Sequence, residues 1–103
     1  MSASPVLPRM LQVVGAAAGP QRRPATADAD TPLFDGGYWL TSVDMVEVVL
    51  ACEEEFGVTF DEGADLAPGA LRTVGDLAAL VERKLAAMVE GKLAAVDERK
   101  RGR

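Results

Sequence analysis

The segment from Thr41 to Gly57 carries a complete set of signals for one α-helix. Thr41 and Asp44 have the spacing of an N-terminal capping box, in which each side chain bonds to the backbone N–H of the other residue. Apolar residues then recur at helical spacing as far as Phe56, and Gly57 can adopt the left-handed conformation that ends many helices. The sequence therefore predicts a helix with Thr41 as its cap, Ser42 in its first turn and Phe56 near its end.

This helix has apolar residues on two opposite sides. At about 100° per residue, the side predicted to face the core collects Met45, Val48, Val49, Cys52 and Phe56. The opposite side collects Val43, Val46 and Leu50, among the carboxylates of Asp44, Glu47 and Glu54. A helix in a small bundle buries one apolar stripe, so we expect the second stripe to face solvent or another protein. The alternative is that another helix and the long loop cover both stripes.

Two other segments have the apolar spacing of helices. Residues 5–18 form the first, which ends at Gly19 and Pro20, and the other begins at Thr73, with Asp76 three residues later. The 103-residue chain has few aromatic residues (Phe 3, Trp 1, Tyr 1), so its core must be mostly aliphatic. This composition suits a small all-α bundle better than a β-sandwich.

The chain is predicted to have three parts. They are a disordered N-terminus at residues 1–4, a folded domain at 5–84, and a helical extension with a basic tail at 85–103. A long connection follows the first helix from residue 19, and Leu33 and Phe34 are predicted to dock it onto the core. Residues 61–70 allow at most one or two helical turns, because they contain Gly63, Pro68 and Gly69.

Acidic residues are concentrated in the middle of the chain. Residues 24–71 contain eleven Asp or Glu and no Lys or Arg, in a chain of formal net charge −5. Such a segment repels nucleic acid and anionic membranes and attracts basic protein surfaces. The single cysteine, Cys52, excludes an intrachain disulfide, and no segment has the roughly 20 apolar residues of a membrane span. We therefore expect a cytoplasmic monomer with protein partners, without nucleic-acid or membrane partners.

Ser42 is the one serine outside the first four residues. Thr41 already has the capping role that a serine near a helix start most often fills. The sequence has no histidine, so a zinc site or a histidine-based triad is excluded. A helix N-terminus favours an attached phosphate group. We therefore interpret Ser42 as a residue modified by another enzyme, and the protein as non-catalytic.

The order and spacing of several motifs resemble those of the acyl carrier protein family. The motifs are Leu33-Phe34-Asp35-Gly36-Gly37, the stretch from Leu40 to Val49 around Ser42, the stretch from Glu53 to Val58, and the stretch from Thr73 to Leu77. The resemblance covers about residues 5–84 and implies a four-helix bundle with a long loop between the first two helices. It also implies that Ser42 carries a 4′-phosphopantetheine arm through a phosphodiester. The thiol of this arm would hold acyl groups of fatty-acid or polyketide type as thioesters.

The same resemblance implies a docking surface on this helix. Its residues are Val43, Asp44, Val46, Glu47, Leu50, Glu53 and Glu54. The implied partners are a phosphopantetheinyl transferase and acyl-loading, condensing or tailoring enzymes with basic docking patches. Tyr38, Trp39 and Thr41 are candidate contacts of the arm or its cargo.

Two features depart from the pattern of the family. Thr41 stands where the family usually has Asp, and the loop before Ser42 is two residues longer, with Tyr38 and Trp39 in the excess. These departures point to a dedicated carrier of secondary metabolism. Two alternatives stay open: a carrier of aminoacyl, aryl or peptidyl groups on the same arm, and an unmodified helical module for protein interaction.

Overall fold

The computed structural model of the protein describes residues 6–61, 63–67 and 69–101, with side-chain surroundings up to residue 89. Its helices are α1 Val6–Ala18, α2 Ser42–Phe56 and α3 Val74–Arg101. The described residues form no strand, and Pro32 and Thr73 form an isolated antiparallel bridge. The all-α prediction is thus confirmed for this part of the chain. The segment 1–4, predicted to be disordered, lies outside the described residues.

Both predicted helix starts have the expected capping bonds. Thr41 caps α2 by exchanging hydrogen bonds with Asp44, and Gly57 ends α2 at φ 70° and ψ 28°. Thr73 and Asp76 exchange the same pair of bonds at the start of α3, with donor–acceptor distances of 3.1 and 3.2 Å. These ends were predictable because a capping box lies within four consecutive residues.

A fourth helix is not found among the described residues. Between α2 and α3, residues 63–67 form a turn instead. The Asp61 side chain accepts a hydrogen bond from Gly63 N–H at 3.0 Å, and Asp65 N–H donates to Asp61 O at 2.7 Å. Gly69 has φ 81°, which does not fit a right-handed helix. The bundle prediction is therefore confirmed only as a helical fold.

The core lies between α1 and the other two helices, and α1 packs against both of them. The largest fully buried side chains are Met10, Val14, Leu33, Val48, Cys52, Val74, Leu77 and Val81. In the described part of the chain no charged or amide side chain is buried, and the buried residues with a polar group are Tyr38 and Cys52. Removal of aliphatic surface from water, at roughly 25 cal/mol per Å², is therefore the main stabilising term.

The connection between α1 and α2 is fixed to the start of α3. Leu33 N–H donates to Arg72 O at 2.9 Å, and Val74 N–H donates to Thr31 O at 3.0 Å. Leu33 is buried as predicted, whereas Phe34 is 36 % exposed, so the prediction that Phe34 docks in the core is wrong. Leu33 lies in the segment bonded to the start of α3, whereas Phe34 begins the following turn, where its carbonyl oxygen accepts Gly37 N–H at 3.1 Å.

Helix α3 is continuous over 28 residues and includes most of the predicted extension. Its buried residues lie near its start: Val74, Leu77, Ala78, Leu80 and Val81. Met88 and Val89 are exposed, so α3 continues past the packed part of the molecule. None of the described helices is long and apolar enough to cross a membrane.

Candidate functional site

Ser42 is the first residue of α2, and its side chain is exposed. Leu40 is buried just before it, and Thr41 fixes the start of the helix. No group in the described part of the chain hydrogen-bonds to the Ser42 hydroxyl. The hydroxyl is therefore accessible, but no neighbouring base activates it.

The head of α2 suits an attached phosphate group. Within the described ranges, the backbone N–H groups of Ser42 and Val43 have no acceptor, as is usual in a first helical turn. These N–H groups and the helix dipole favour negative charge at this end. The residues present thus fit a phosphodiester on the Ser42 oxygen.

Arg22 joins three segments close to Ser42. Its Nε donates to Ala18 O at 2.9 Å, at the end of α1. Its Nη1 donates to Trp39 O at 3.2 Å and to Asp44 Oδ2 at 2.6 Å. Arg22 therefore holds the loop after α1, the loop before α2 and the first turn of α2 in one arrangement.

The sequence patterns did not reveal Arg22 as a site residue. Its carboxylate partner, Asp44, lies 22 residues away, beyond the reach of helix or turn patterns. The available signal was charge, since Arg22 and Arg23 are the last basic residues before the acidic segment 24–71. Opposite charges that lie close in a folded chain attract each other.

The pairing also changes the acidity of Asp44. The hydrogen bond from Arg22, with a smaller effect of the bond from Thr41 N–H, lowers the pKa of Asp44 to about 2. Asp44 is thus ionised at neutral pH and already paired within the chain. Its predicted docking role stays a prediction.

We call Val43, Val46 and Leu50 the outer stripe of α2. Their exposed fractions are 69, 58 and 58 %. Glu47 and Glu54 are exposed on the same helix. The prediction that a second apolar stripe faces away from the core is therefore confirmed, and the alternative of two covered stripes is wrong.

A cleft of about 730 Å³ opens beside Ser42. Met45 and Val49, which were predicted to face the core, are half-buried and line this cleft. The other lining residues are Phe34, Leu40, Thr41, Val46, Leu50, Glu53, Phe60, Leu66, Ala67, Gly69 and Leu71. Apart from Ser42, Thr41 and Glu53, the lining has no polar side chain, so an apolar chain that starts at Ser42 can be accommodated.

Glu53 differs from the other predicted docking carboxylates. It is half-buried, and its Oε2 accepts a hydrogen bond from Phe60 N–H at 2.9 Å. Lys84 Nζ lies 5.5 Å from the centroid of the Phe60 ring and 2.6 Å from Asp65 Oδ2. These contacts hold Phe60 and residues 63–67 between α2 and α3, where Phe60, Leu66 and Ala67 form one wall of the cleft.

The structure separates the three candidate contacts of an arm. Thr41 lines the cleft. Tyr38 is buried in the core, where burial raises the pKa of its hydroxyl. Trp39 is 56 % exposed and does not line the cleft. Of the three, only Thr41 therefore lies where cargo in the cleft would touch it.

A comparison with curated proteins found no match. A comparison with known families matched residues 12–81, more than half of the chain, to the family described as phosphopantetheine attachment site. The matched region contains Ser42, all of α2 and every residue that lines the cleft. The predicted cofactor is thereby confirmed at the level of the family. The chain belongs to the phosphopantetheine attachment site family, whose members are carrier proteins with a covalently bound 4′-phosphopantetheine group.

Proposed function

We propose that the protein carries acyl intermediates of fatty-acid or polyketide type as thioesters on a 4′-phosphopantetheine arm attached to Ser42. It delivers them to partner enzymes and performs no catalysis itself. The observation that supports an acyl cargo is the apolar cleft that opens at Ser42. Burial of an acyl chain there is favourable by roughly 0.8 kcal/mol per CH₂ group.

The residues at the head of α2 have separate parts in this proposal. Ser42 supplies the oxygen that bonds to phosphorus, and the N–H groups of Ser42 and Val43 stabilise the phosphate charge. Thr41 and Asp44 fix the start of the helix, and Arg22 holds the preceding loop. The bound arm supplies the thiol that forms thioesters.

Partner enzymes dock on the outer stripe in this proposal. The outer stripe of Val43, Val46 and Leu50 provides apolar contact. Glu47 and Glu54 are exposed beside it. Carboxylates around an apolar patch steer a basic surface toward it. The phosphopantetheinyl transferase and the acyl-loading, condensing or tailoring enzymes would share such a basic surface. Asp44 and Glu53 contribute less, because both are bonded within the chain.

We also propose that a single turn beginning at residue 61 supplies the fourth helical element of an acyl-carrier bundle. The bond from Asp65 N–H to Asp61 O spans four residues, as in one α-helical turn. The Asp61 side chain supports this turn as a cap does. Backbone chemical shifts of the modified protein should be helical from residue 61 to about residue 66, and extended shifts there would contradict the assignment.

One observation favours a carrier of aminoacyl or aryl groups as the second candidate. The carboxylate of Glu53 lies in the cleft lining, where it can bind an ammonium group. One oxygen of this carboxylate, Oε2, already accepts a hydrogen bond from Phe60 N–H, however. The rest of the cleft lining is almost entirely apolar. The cleft lining is therefore more complementary to an acyl chain than to an aminoacyl group.

Intact-protein mass spectrometry tests the attachment. Incubation with coenzyme A and a phosphopantetheinyl transferase should add one phosphopantetheine group to the wild type and none to Ser42→Ala. The variant should unfold at the wild-type temperature, since the described residues leave the Ser42 hydroxyl without a partner. The proposal fails if no transferase, including one encoded beside this protein, modifies the wild type. It also fails if Ser42→Ala is still modified.

Thermal unfolding of the loaded protein tests the cargo. The midpoint should rise with the length of the acyl chain until the cleft is filled. Val49→Phe narrows the cleft and should reduce this rise, whereas Val43→Phe, the same change on the outer stripe, should preserve it. A larger rise with an aminoacyl group than with any acyl chain would favour the second candidate instead.

A further inference from the structure

Trp39 has an unusual backbone conformation. At φ 55° it is the one described residue other than glycine with a positive φ. Bulky side chains rarely adopt this left-handed region, because their Cβ atom crowds the following carbonyl oxygen. Glycine would take the same conformation without this penalty.

The conformation of Trp39 is firmly held by its surroundings. Its N–H donates to Phe34 O at 3.0 Å, and its carbonyl oxygen accepts from Arg22 Nη1 at 3.2 Å. Its neighbours Tyr38 and Leu40 are both buried. The two buried neighbours and the two bonds therefore fix Trp39 on the surface.

The Trp39 indole contributes little to the packing of the fold. The side chain is 56 % exposed, more than any other aromatic residue in the described part of the chain, and it does not line the cleft. An exposed indole in a disfavoured backbone conformation stabilises the chain less than glycine would at this position. Strained residues that persist are often those with a role at a functional site. We therefore infer that the indole contacts another molecule.

The position of Trp39 limits what can contact it. It precedes Ser42 by three residues, and both side chains are exposed. An enzyme that reacts with the Ser42 oxygen itself must cover the surface around Ser42. Enzymes that act on the far end of an attached arm have no such requirement. The enzyme that modifies Ser42 is therefore the partner that must approach Trp39.

The charge of the surroundings indicates the chemistry of the contact. The segment 24–71 contains Trp39 and Ser42 and has eleven carboxylates and no Lys or Arg. Arg22, from the preceding loop, bonds to the Trp39 carbonyl oxygen but is paired with Asp44, and Glu47 and Glu54 stay exposed on α2. A partner that binds here has a basic surface. The face of an indole is the best side-chain acceptor of an arginine or lysine cation. Tryptophan and arginine are also the residues that most often dominate binding energy at protein interfaces.

We propose that Trp39 is a recognition residue for the phosphopantetheinyl transferase, and that its indole binds an arginine or lysine side chain of that enzyme. This rests on the proposed function. In the transfer, the Ser42 oxygen bonds to the phosphorus next to pantetheine in coenzyme A, and the bond from that phosphorus to the bridging pyrophosphate oxygen breaks. Adenosine 3′,5′-bisphosphate leaves, and the serine proton passes to the enzyme. Trp39 takes no part in these bonds and acts by binding alone.

Trp39→Gly is the decisive variant, because glycine keeps the backbone conformation and removes only the side chain. With a transferase that modifies the wild type, its kcat/KM should fall about 30-fold, through a higher KM at unchanged kcat. Its unfolding temperature should equal or exceed that of the wild type. Trp39→Phe keeps an aromatic face and should lose less. Val89→Ala, at an equally exposed apolar position on α3 and outside the outer stripe, should leave kcat/KM within about threefold.

The results that would overturn the proposal differ from those that would overturn the attachment to Ser42. A wild type that no transferase modifies overturns both. A wild type modified on Ser42, with Trp39→Gly modified at the same kcat/KM, overturns only the role of Trp39. A lower unfolding temperature together with a lower kcat for Trp39→Gly would assign Trp39 a structural role. Unchanged modification with faster thioester hydrolysis would assign it a contact with the cargo.

Discussion

Asp44 makes contacts in three directions at the head of α2. Its Oδ2 accepts from Thr41 N–H at 2.9 Å and from Arg22 Nη1 at 2.6 Å, while its own N–H donates to Thr41 Oγ1 at 3.1 Å. The side chain is only 13 % exposed, so these bonds replace most of its contact with water. At the residue scale, the position of Ser42 therefore depends on one carboxylate that is two residues away.

The stability of the protein should depend on pH through Asp44. Its folded-state pKa of about 2 is below the ordinary value of 3.8, so the unfolded chain takes up the proton first as pH falls. The stabilisation is complete above about pH 5 and is lost as the pH falls to about 2. Asp44→Asn should therefore lower the unfolding temperature at neutral pH, and the difference from the wild type should shrink in acid. Thermal unfolding from neutral pH to about pH 2 measures this difference.

The control for this measurement is Asp35→Asn. Asp35 is exposed, and in the described ranges its side chain makes no hydrogen bond. The unfolding temperature of Asp35→Asn should therefore stay close to that of the wild type throughout the measurement. A difference for Asp44→Asn that stays constant down to the acid limit would contradict the role assigned to the ion pair with Arg22.

Cys52 should be unreactive in the folded protein. Its thiol is fully buried, with Met10 Sδ 3.5 Å from its Sγ, and burial together with Glu53 and Glu55 raises the thiol pKa to about 12. Thiolate, the reactive form of the side chain, is therefore nearly absent at pH 8. The folded unmodified protein should show no thiol that reacts with iodoacetamide, and denaturant should expose one.

Attachment of the arm should add one reactive thiol to the folded protein. The same titration before and after modification counts it, and Cys52→Ala should keep this new thiol while losing the one exposed by denaturant. Rapid alkylation of the folded, unmodified wild type would show that Cys52 is accessible and would contradict its place in the core.

At the element scale, both ends of α2 and the start of α3 were predictable, and the contacts between elements were not. Each helix start is a local pattern, such as Thr41 with Asp44, that bonds within four residues. Two contacts join segments that are distant in sequence: the hydrogen bond from Arg22 to Asp44 and the bridge from Pro32 to Thr73. Helix and turn patterns relate only residues that are close in sequence, so they could not predict these contacts. Ser42 could be predicted as the attachment site because the signals around it are local. The cleft was not, because Phe34, Met45 and Leu71 come from three separate segments.

Gly37 shows why the loop before α2 has its observed path. A Cβ atom at this position would lie 1.9 Å from Pro32 O, which accepts the N–H of Tyr38 at 3.0 Å. Pro32 also forms the bridge to Thr73 at the start of α3. Gly37 therefore permits the close backbone contact that fixes this loop to α3.

Gly37→Ala should destabilise the protein by about 2 kcal/mol or more, because backbone atoms must move apart to admit the methyl group. Urea denaturation measures the change in the free energy of unfolding. Gly63→Ala is the matched control, since the nearest atom to its Cβ would be Asp61 Oδ1 at an ordinary 3.6 Å. Gly63→Ala should lower the free energy of unfolding by less than about 0.5 kcal/mol. Equal losses for the two variants would contradict the close contact at Gly37.

At the scale of the whole molecule, the acidic segment and its basic flanks are joined by ion pairs. In the described part of the chain, Arg9 pairs with Glu55, Arg22 with Asp44, and Lys84 with Asp65. Each pair links segment 24–71 to the chain before or after it. These pairs neutralise carboxylates around the fold but leave those of Glu47 and Glu54 exposed beside the outer stripe. The carboxylates that these ion pairs leave free thus include two beside the surface where partners are proposed to dock.

Charge reversal on this surface should slow partner reactions without loss of stability. Glu47→Lys and Glu54→Lys should each lower kcat/KM for the transferase by up to about tenfold at low salt, and less at high salt, because screening weakens steering. Glu82→Lys changes the net charge equally but lies on α3, so it should have little effect. Unfolding temperatures should stay close to that of the wild type for all three variants, since exposed charges contribute little to folding. If Glu82→Lys slows the transferase as much as Glu47→Lys, net charge alone governs the encounter and α2 has no special role in docking.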